Sequence, residues 1–200
     1  SNEVLYFKKD DKFITKGQTK VNIENKHFIN TQDLVLLRKD MLLSSKYKTT
    51  ITDTQDNFYK LDDFRYAFNT KILKGNKVEI ITNYLKENSD QYFFNTGFFD
   101  FKDKKFSAKD IKINFYKEMF DEKKNDPRLK AVSATGDELN TYLKKGSFTT
   151  CENDDKCPPW IIESEKVKHD KVKKQIVYKN AWLKIYDVPV VYFPKFFHPD

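Results

Sequence analysis

The chain has 200 residues, 16% of them aromatic and 34% charged, and carries a net charge of +7 at neutral pH. That length suits one large β domain or two small ones, and its 18 Phe and 11 Tyr supply enough apolar mass for a core, which excludes a disordered chain. No stretch nears the roughly 20 apolar residues of a membrane helix.

Helical periodicity is almost absent and period-two alternation is common, so the elements are read as strands with one face in a core and one in water. Ile29-Asn30-Thr31-Gln32-Asp33-Leu34-Val35-Leu36 comes first, followed by Tyr59-Lys60-Leu61-Asp62-Asp63-Phe64-Arg65-Tyr66. Phe64, Tyr66 and Phe68 share one face. A turn is expected at Lys74-Gly75-Asn76, before the short alternation Val78-Glu79-Ile80. A weaker strand runs from Phe93 to Gly97, and Lys102-Asp103-Lys104 reads as a turn. Phe106-Ser107-Ala108-Lys109-Asp110-Ile111-Lys112-Ile113 then places Ile111, Ile113 and Phe115 on one face. Lys117 to Lys124 is the one stretch with a trace of helical spacing, and Asn125-Asp126-Pro127 marks a longer loop. Further turns are expected at Thr135-Gly136-Asp137 and Lys144-Lys145-Gly146, and a weak strand from Ile162 to Val167. Ile176-Val177-Tyr178-Lys179-Asn180-Ala181-Trp182-Leu183 is the last strong strand and puts Leu183 and Ile185 on one face.

The four long segments share a template: apolar alternation that slips by one place at an Asp or Asn. Beyond the slip, a strict period of two would turn the second half of the strand outward. A bulge at the Asp or Asn restores the inward face and bends the strand, and short polar side chains tolerate the backbone this needs. Bends are therefore expected at or beside Asp33, Asp63, Asp110 and Asn180. The fold class that follows is all-β: an antiparallel jelly roll or V-shaped roll of bent strands, as one domain over residues 1–200. If it stays partly open, its interior is a long apolar groove. Phe64, Tyr66, Phe68, Ile111, Ile113, Phe115, Leu183 and Ile185 are the candidate lining, and core packing explains the same positions equally well.

The basic balance fits an anionic partner, or follows from a composition rich in Lys, Asn, Ile, Phe and Tyr with no dense basic run. Cys151 and Cys157 are too few for a zinc site, and the three His are scattered, so no metal site is expected. A local disulfide in an oxidising compartment is one reading of the pair, and two free thiols are the other. Ser164, His169 and Asp170 form no nucleophile elbow, and no Gly-rich phosphate loop occurs, so neither catalysis nor a cofactor is expected. Alternation of the aromatics argues against a base-stacking nucleic-acid surface.

The last third is the most specific. Gly146-Ser147-Phe148-Thr149-Thr150-Cys151 precedes Pro158-Pro159-Trp160-Ile161-Ile162, then Asn180-Ala181-Trp182-Leu183 and Asp187-Val188-Pro189-Val190-Val191-Tyr192-Phe193-Pro194-Lys195-Phe196-Phe197-His198-Pro199. This order resembles the end of the OstA-like domain of the LptD family, the LPS-assembly proteins (also called Imp) of the Gram-negative outer membrane. The resemblance implies a periplasmic β jelly roll that binds the acyl chains of lipopolysaccharide. It implies receipt from an LptA-type bridge protein by strand-edge pairing, and delivery to a carboxy-terminal barrel that holds an LptE-type lipoprotein. Residues 187–200 would then be a Pro-rich lead-out toward that barrel, with Asp200 a cut before its membrane strands; independently of the resemblance, Ser1-Asn2 reads as a cloning remnant. Cys151 matches a family Cys that bonds to the barrel in some relatives, and the second Cys at 157 favours a local bridge instead. A free-standing LptA-like bridge or another periplasmic β module is the competing expectation.

Overall fold

The computed structural model describes residues 1–116, 125–152 and 158–199. Among them there is no helix. The strands are β1 (Glu3–Phe7), β2 (Lys12–Lys16), β3 (Gln18–Ile23), β4 (His27–Gln32), β5 (Val35–Leu37), β6 (Leu42–Ser45), β7 (Thr49–Asp53), β8 (Phe58–Leu61) and β9 (Asp63–Ala67). The longer ones are β10 (Ile72–Ile81), β11 (Gln91–Asp100), β12 (Lys105–Asn114), β13 (Arg128–Gly136), β14 (Asn140–Thr149), β15 (Trp160–Asp170), β16 (Gln175–Ile185) and β17 (Val188–Pro199). Every pairing is antiparallel, so the expected all-β roll of bent strands is what forms.

Two arms meet along one crease. The first arm is built as β1-β2-β5-β6-β9 and the second as β3-β4-β7-β8. Strand β10 joins them: Ile72–Asn76 pairs with β9, and Glu79–Ile81 pairs with β8. From β10 to β17 each strand runs through both arms. At the crease the ladder leaves out one residue per strand, in line: Lys77, Asn95, Asp110, Val132, Lys145, Glu165, Asn180 and Pro194. All eight are exposed.

The skipped residue is where the alternation slips. Inward neighbours lie three apart across it, as with Ala108 and Ile111, or Tyr178 and Ala181, all buried. On every second strand the corner is left-handed: φ is 48° at Lys77, 52° at Asp110, 51° at Lys145 and 52° at Asn180. Asp33, with φ 48°, and Gly17, with φ 78°, continue the line into the early strands. The bend near Asp63 falls at Asp62, between β8 and β9, whose amide donates to the Asn76 carbonyl at 3.0 Å. Corner side chains tie neighbouring strands: Asn95 Nδ2 donates to Asp110 Oδ2 at 3.2 Å and Asn180 Nδ2 to Glu165 Oε2 at 2.7 Å.

The turns expected at Lys74-Gly75-Asn76 and Lys144-Lys145-Gly146 are not turns. Both lie mid-strand, in β10 and β14, on the crease. Glycine and a left-handed residue are needed there because two arms converge. A Cβ on Gly75 would meet Leu61 Cδ2 at 2.3 Å, and one on Gly146 would meet Val167 Cγ2 at 2.8 Å. The helical spacing noted over Lys117 to Lys124 lies outside the described residues.

A left-handed corner discriminates among substitutions. Asp110→Gly should keep stability within about 0.5 kcal/mol of its present value, since glycine reaches positive φ at no steric cost. Asp110→Val should lower it by about 1–2 kcal/mol. Urea denaturation of both variants measures this, and equal effects would remove the left-handed corner from the explanation.

Candidate functional site

The candidate site is the inner surface of the roll. On the first arm an inward row runs Tyr6, Phe13, Leu36, Leu43, Tyr66, Leu73, Phe99, Phe106 in cross-strand register. On the second arm the corresponding row ends Ile113, Leu129, Phe148, Ile162, Leu183, Val191. On β11 to β16 at least one of the two inward residues flanking the crease is small, namely Gly97, Ala108, Ala131 and Ala134, Gly146, Ser164 and Ala181, because the arms are closest there.

Rings close the arms onto each other in the middle. Phe94 and Phe99, from opposite arms, stand 6.2 Å apart between centroids, and His27 and Phe101 stand 5.8 Å apart. Nearer the end of the chain, Phe148 and His198 face each other at 6.0 Å. Polar atoms inside are satisfied. Thr31 and Thr49 share a buried hydrogen bond of 2.7 Å. Burial pushes the hydroxyls of Tyr59, Tyr92 and Tyr178 above the ordinary phenol range, helped in the first two by Asp53 and Asp90. They stay neutral, and the Tyr178 hydroxyl lies 3.1 Å from His198 Nε2. Arg128 is buried and donates to the carbonyls of Asp126 and Cys151, closing the start of β13.

Six of the eight candidate lining residues sit in or against this core. Phe64, only 1% exposed, Ile111 and Ile113 are buried, and Tyr66 and Phe68 pack edge-on at 4.9 Å. Phe115 is half-buried against the same core, its amide donating to Pro127 O at 2.9 Å. Leu183 is half-buried, and Ile185 is 39% exposed. Register still points Ile185 inward, opposite Val188, while Leu183 faces Val191. The eight therefore divide: three lie on the first arm and five on the second, and only Leu183 and Ile185 lie at an open end of the lining; at the other end Tyr6 is 49% exposed. The open end reaches beyond these two residues. Val188, 60% exposed, and Val191, 41% exposed, extend the apolar strip on β17. Residues 187–200, expected to lead out of the domain, contain this twelve-residue strand, paired with β16 along its length. Its prolines fit because β17 is an edge: among the described residues its ladder runs with β16 alone.

Ser164, which lies near the His169-Asp170 pair weighed for catalysis, turns its hydroxyl to backbone, with Lys166 O at 2.9 Å and Lys179 O at 2.7 Å across the crease as its acceptors. The Cys151 thiol lies 3.7 Å from Trp160 O. The bridge expected from it falls on Cys157, outside the described residues. No cluster of metal-ligating side chains occurs among the described residues.

No family model matches the chain. It is 40% identical over 53 residues to the LPS-assembly protein LptD of Legionella pneumophila strain Paris, a stretch covering 26% of this chain and 6% of that protein. The LPS-assembly protein LptD of Legionella pneumophila subsp. pneumophila strain Philadelphia 1 matches with the same identity and the same coverage. Over that segment the chain is LptD-like. The matched stretch is a small part of either relative's length.

The gradient of exposure along the lining is directly measurable. In a background with Cys151 and Cys157 replaced by serine, Ile185→Cys should react with a small thiol reagent about a hundredfold or more faster than Phe64→Cys, whose modification requires local opening. Comparable rates would show that the lining is equally open, or equally closed, at both places.

Proposed function

We infer that this chain handles lipopolysaccharide as part of outer-membrane assembly, in the manner of an LptD periplasmic domain. The observation that carries the reading is the apolar inner row that is closed by rings in the middle and opens at β16–β17, taken with the LptD-like segment. An acyl chain leaving water for such a surface gains roughly 0.8 kcal/mol per buried methylene. The strip Leu183, Ile185, Val188 and Val191 is where it enters or leaves, and the sugar and phosphate groups stay in water outside the mouth. Phe64, Tyr66, Phe68, Ile111, Ile113 and Phe115 line the path only where the arms part to admit the chain.

The remaining parts of the reading follow the same geometry. The outer edges of β1 and β3 at one end, and of β17 at the other, present backbone groups for strand addition. An LptA-type bridge would pair at the first end. The second faces the protein's own outer-membrane barrel, with its LptE-type lipoprotein, on the periplasmic side of a Gram-negative outer membrane. Such a role involves no catalysis and no cofactor. A free-standing LptA-like bridge is the second reading, favoured by the edges at β1, β3 and β17, each of which pairs on one side among the described residues.

Photo-crosslinking in the intact protein during active transport tests the inner path. A crosslinker at Leu183 or Ile185 should label lipopolysaccharide, and one at the outward Lys112 or Trp182 should not. Equal labelling inside and outside would place the lipid path elsewhere.

The same oxidising location calls for a bridge between Cys151 and Cys157, contributing about 2–3 kcal/mol by restricting the unfolded chain. Titration of thiols under denaturing, non-reducing conditions should find none. Two thiols per chain would contradict the bridge.

A further inference from the structure

The outer face of the first arm carries an arrangement that the inner path does not use. Lys144, Lys166, Lys179 and Lys195 stand directly opposite one another on β14, β15, β16 and β17. They point outward, since Leu143, Val167 and Tyr178 beside them are buried, and all four are exposed. Beyond β14 the row continues through Ser133 to Lys109. Like charges directly opposite on antiparallel strands repel. Among the described residues none of the four forms an ion pair: Asp170 holds Lys168 at 3.0 Å, and Glu165 accepts from Asn180 at 2.7 Å. A folded surface retains such a row at a loss of stability, and the loss is recovered only against negative charge.

The neighbouring outward row indicates which kind. It runs Tyr142, Lys168, Val177, Phe197 in register, with Tyr142 48% and Phe197 62% exposed. Between the two rows lies a shallow concavity of about 490 Å³. Four lysines on adjacent strands span about 14 Å in a straight line. That is a geometry for a plane of charges and not for one phosphate, which converging donors would surround. Exposed aromatic and aliphatic side chains beside lysines suit the boundary between headgroups and acyl chains.

We propose that the row Lys144, Lys166, Lys179 and Lys195, with Tyr142 and Phe197, docks the outer face of this domain on an anionic lipid bilayer. The docking face is the opposite side of the strands that line the interior, so it is independent of what the interior carries. Electrostatic attraction brings the lysines to the headgroups, and the two rings enter the interface.

Vesicle flotation of the full chain tests this, using phosphatidylcholine alone and phosphatidylcholine with one-third phosphatidylglycerol. Binding should require the anionic lipid and weaken at least tenfold as salt rises to about 0.5 M. Replacing the four lysines of the row by glutamine should reduce partitioning by about 30-fold or more, on the usual contribution of a lysine near an anionic surface. Replacing the exposed Lys39, Lys71, Lys86 and Lys102 changes net charge equally and should reduce it less than about threefold. Lys166→Glu supplies a check that does not depend on lipid: it should raise the thermal midpoint by relieving repulsion, while lowering vesicle binding about tenfold. Equal losses in the two quadruple variants, equal binding to uncharged vesicles, or displacement by millimolar inorganic phosphate would overturn the proposal. So would a single-stranded oligonucleotide that binds more tightly than the vesicles. Failure here leaves crosslinking inside the roll unaffected, because that readout comes from the other face.

Discussion

Everything in this structure depends on one geometric constraint: a strand that must bury side chains in both arms cannot keep a strict period of two through the crease. One residue has to be left out of the ladder, and its side chain has to point to water. The skipped residues from Lys77 to Pro194 form a single exposed line across eight strands. On alternate strands this requires a left-handed backbone, which Asp110 and Asn180 accept readily, and which Lys77 and Lys145 adopt only because neighbouring strands fix it. Strand β10 is pivotal, since it pairs with one arm through its first half and with the other through its second.

The crease also decides the interior. Where the arms converge there is room for one large side chain and not two, so Gly75 faces Leu61 and Gly146 faces Val167. Aromatic rings fill the remaining gap, reaching across as Phe94, beside the crease, does to Phe99 of the opposite arm. A sheet folded this way has no need to close into a barrel. Its edges at β1, β3 and β17 remain available, and its lining grades from fully buried at Phe64 to open at Ile185 and Val191. In the proposed function, that gradient lets an acyl chain enter from one end without the whole core first coming apart.

The two faces of the long strands divide the chemistry. Inward positions near the end of the sheet are apolar, and outward positions on the same strands hold Lys144, Lys166, Lys179 and Lys195. Alternation makes this separation automatic, because adjacent residues point to opposite sides. An apolar interior and a basic exterior therefore coexist within β14 to β17 without either disturbing the other. The lysine row extends only because corner skips on successive strands stay in line, holding residues one place from the crease opposite one another.

The sequence by itself determined the strand character, the inward face of each half-strand and the presence of a bend at Asp33, Asp110 and Asn180. These are local properties: alternation, slip and the tolerance of Asp or Asn for positive φ are all written within about eight residues. It also carried a stretch of 53 residues that is LptD-like. Tertiary structure alone decided which glycines mark turns and which mark the crease, since Gly75 and Gly146 have turn-like neighbours and differ only in what stands opposite them. It decided that Val188–Pro199 is an edge strand, because proline is compatible with an edge only when nothing pairs on its far side. And it decided that Phe64 is sealed while Ile185 is open, although both alternate cleanly with polar neighbours. Burial depends on how many strands stack on either side of a position, and that number is set by the register of distant segments.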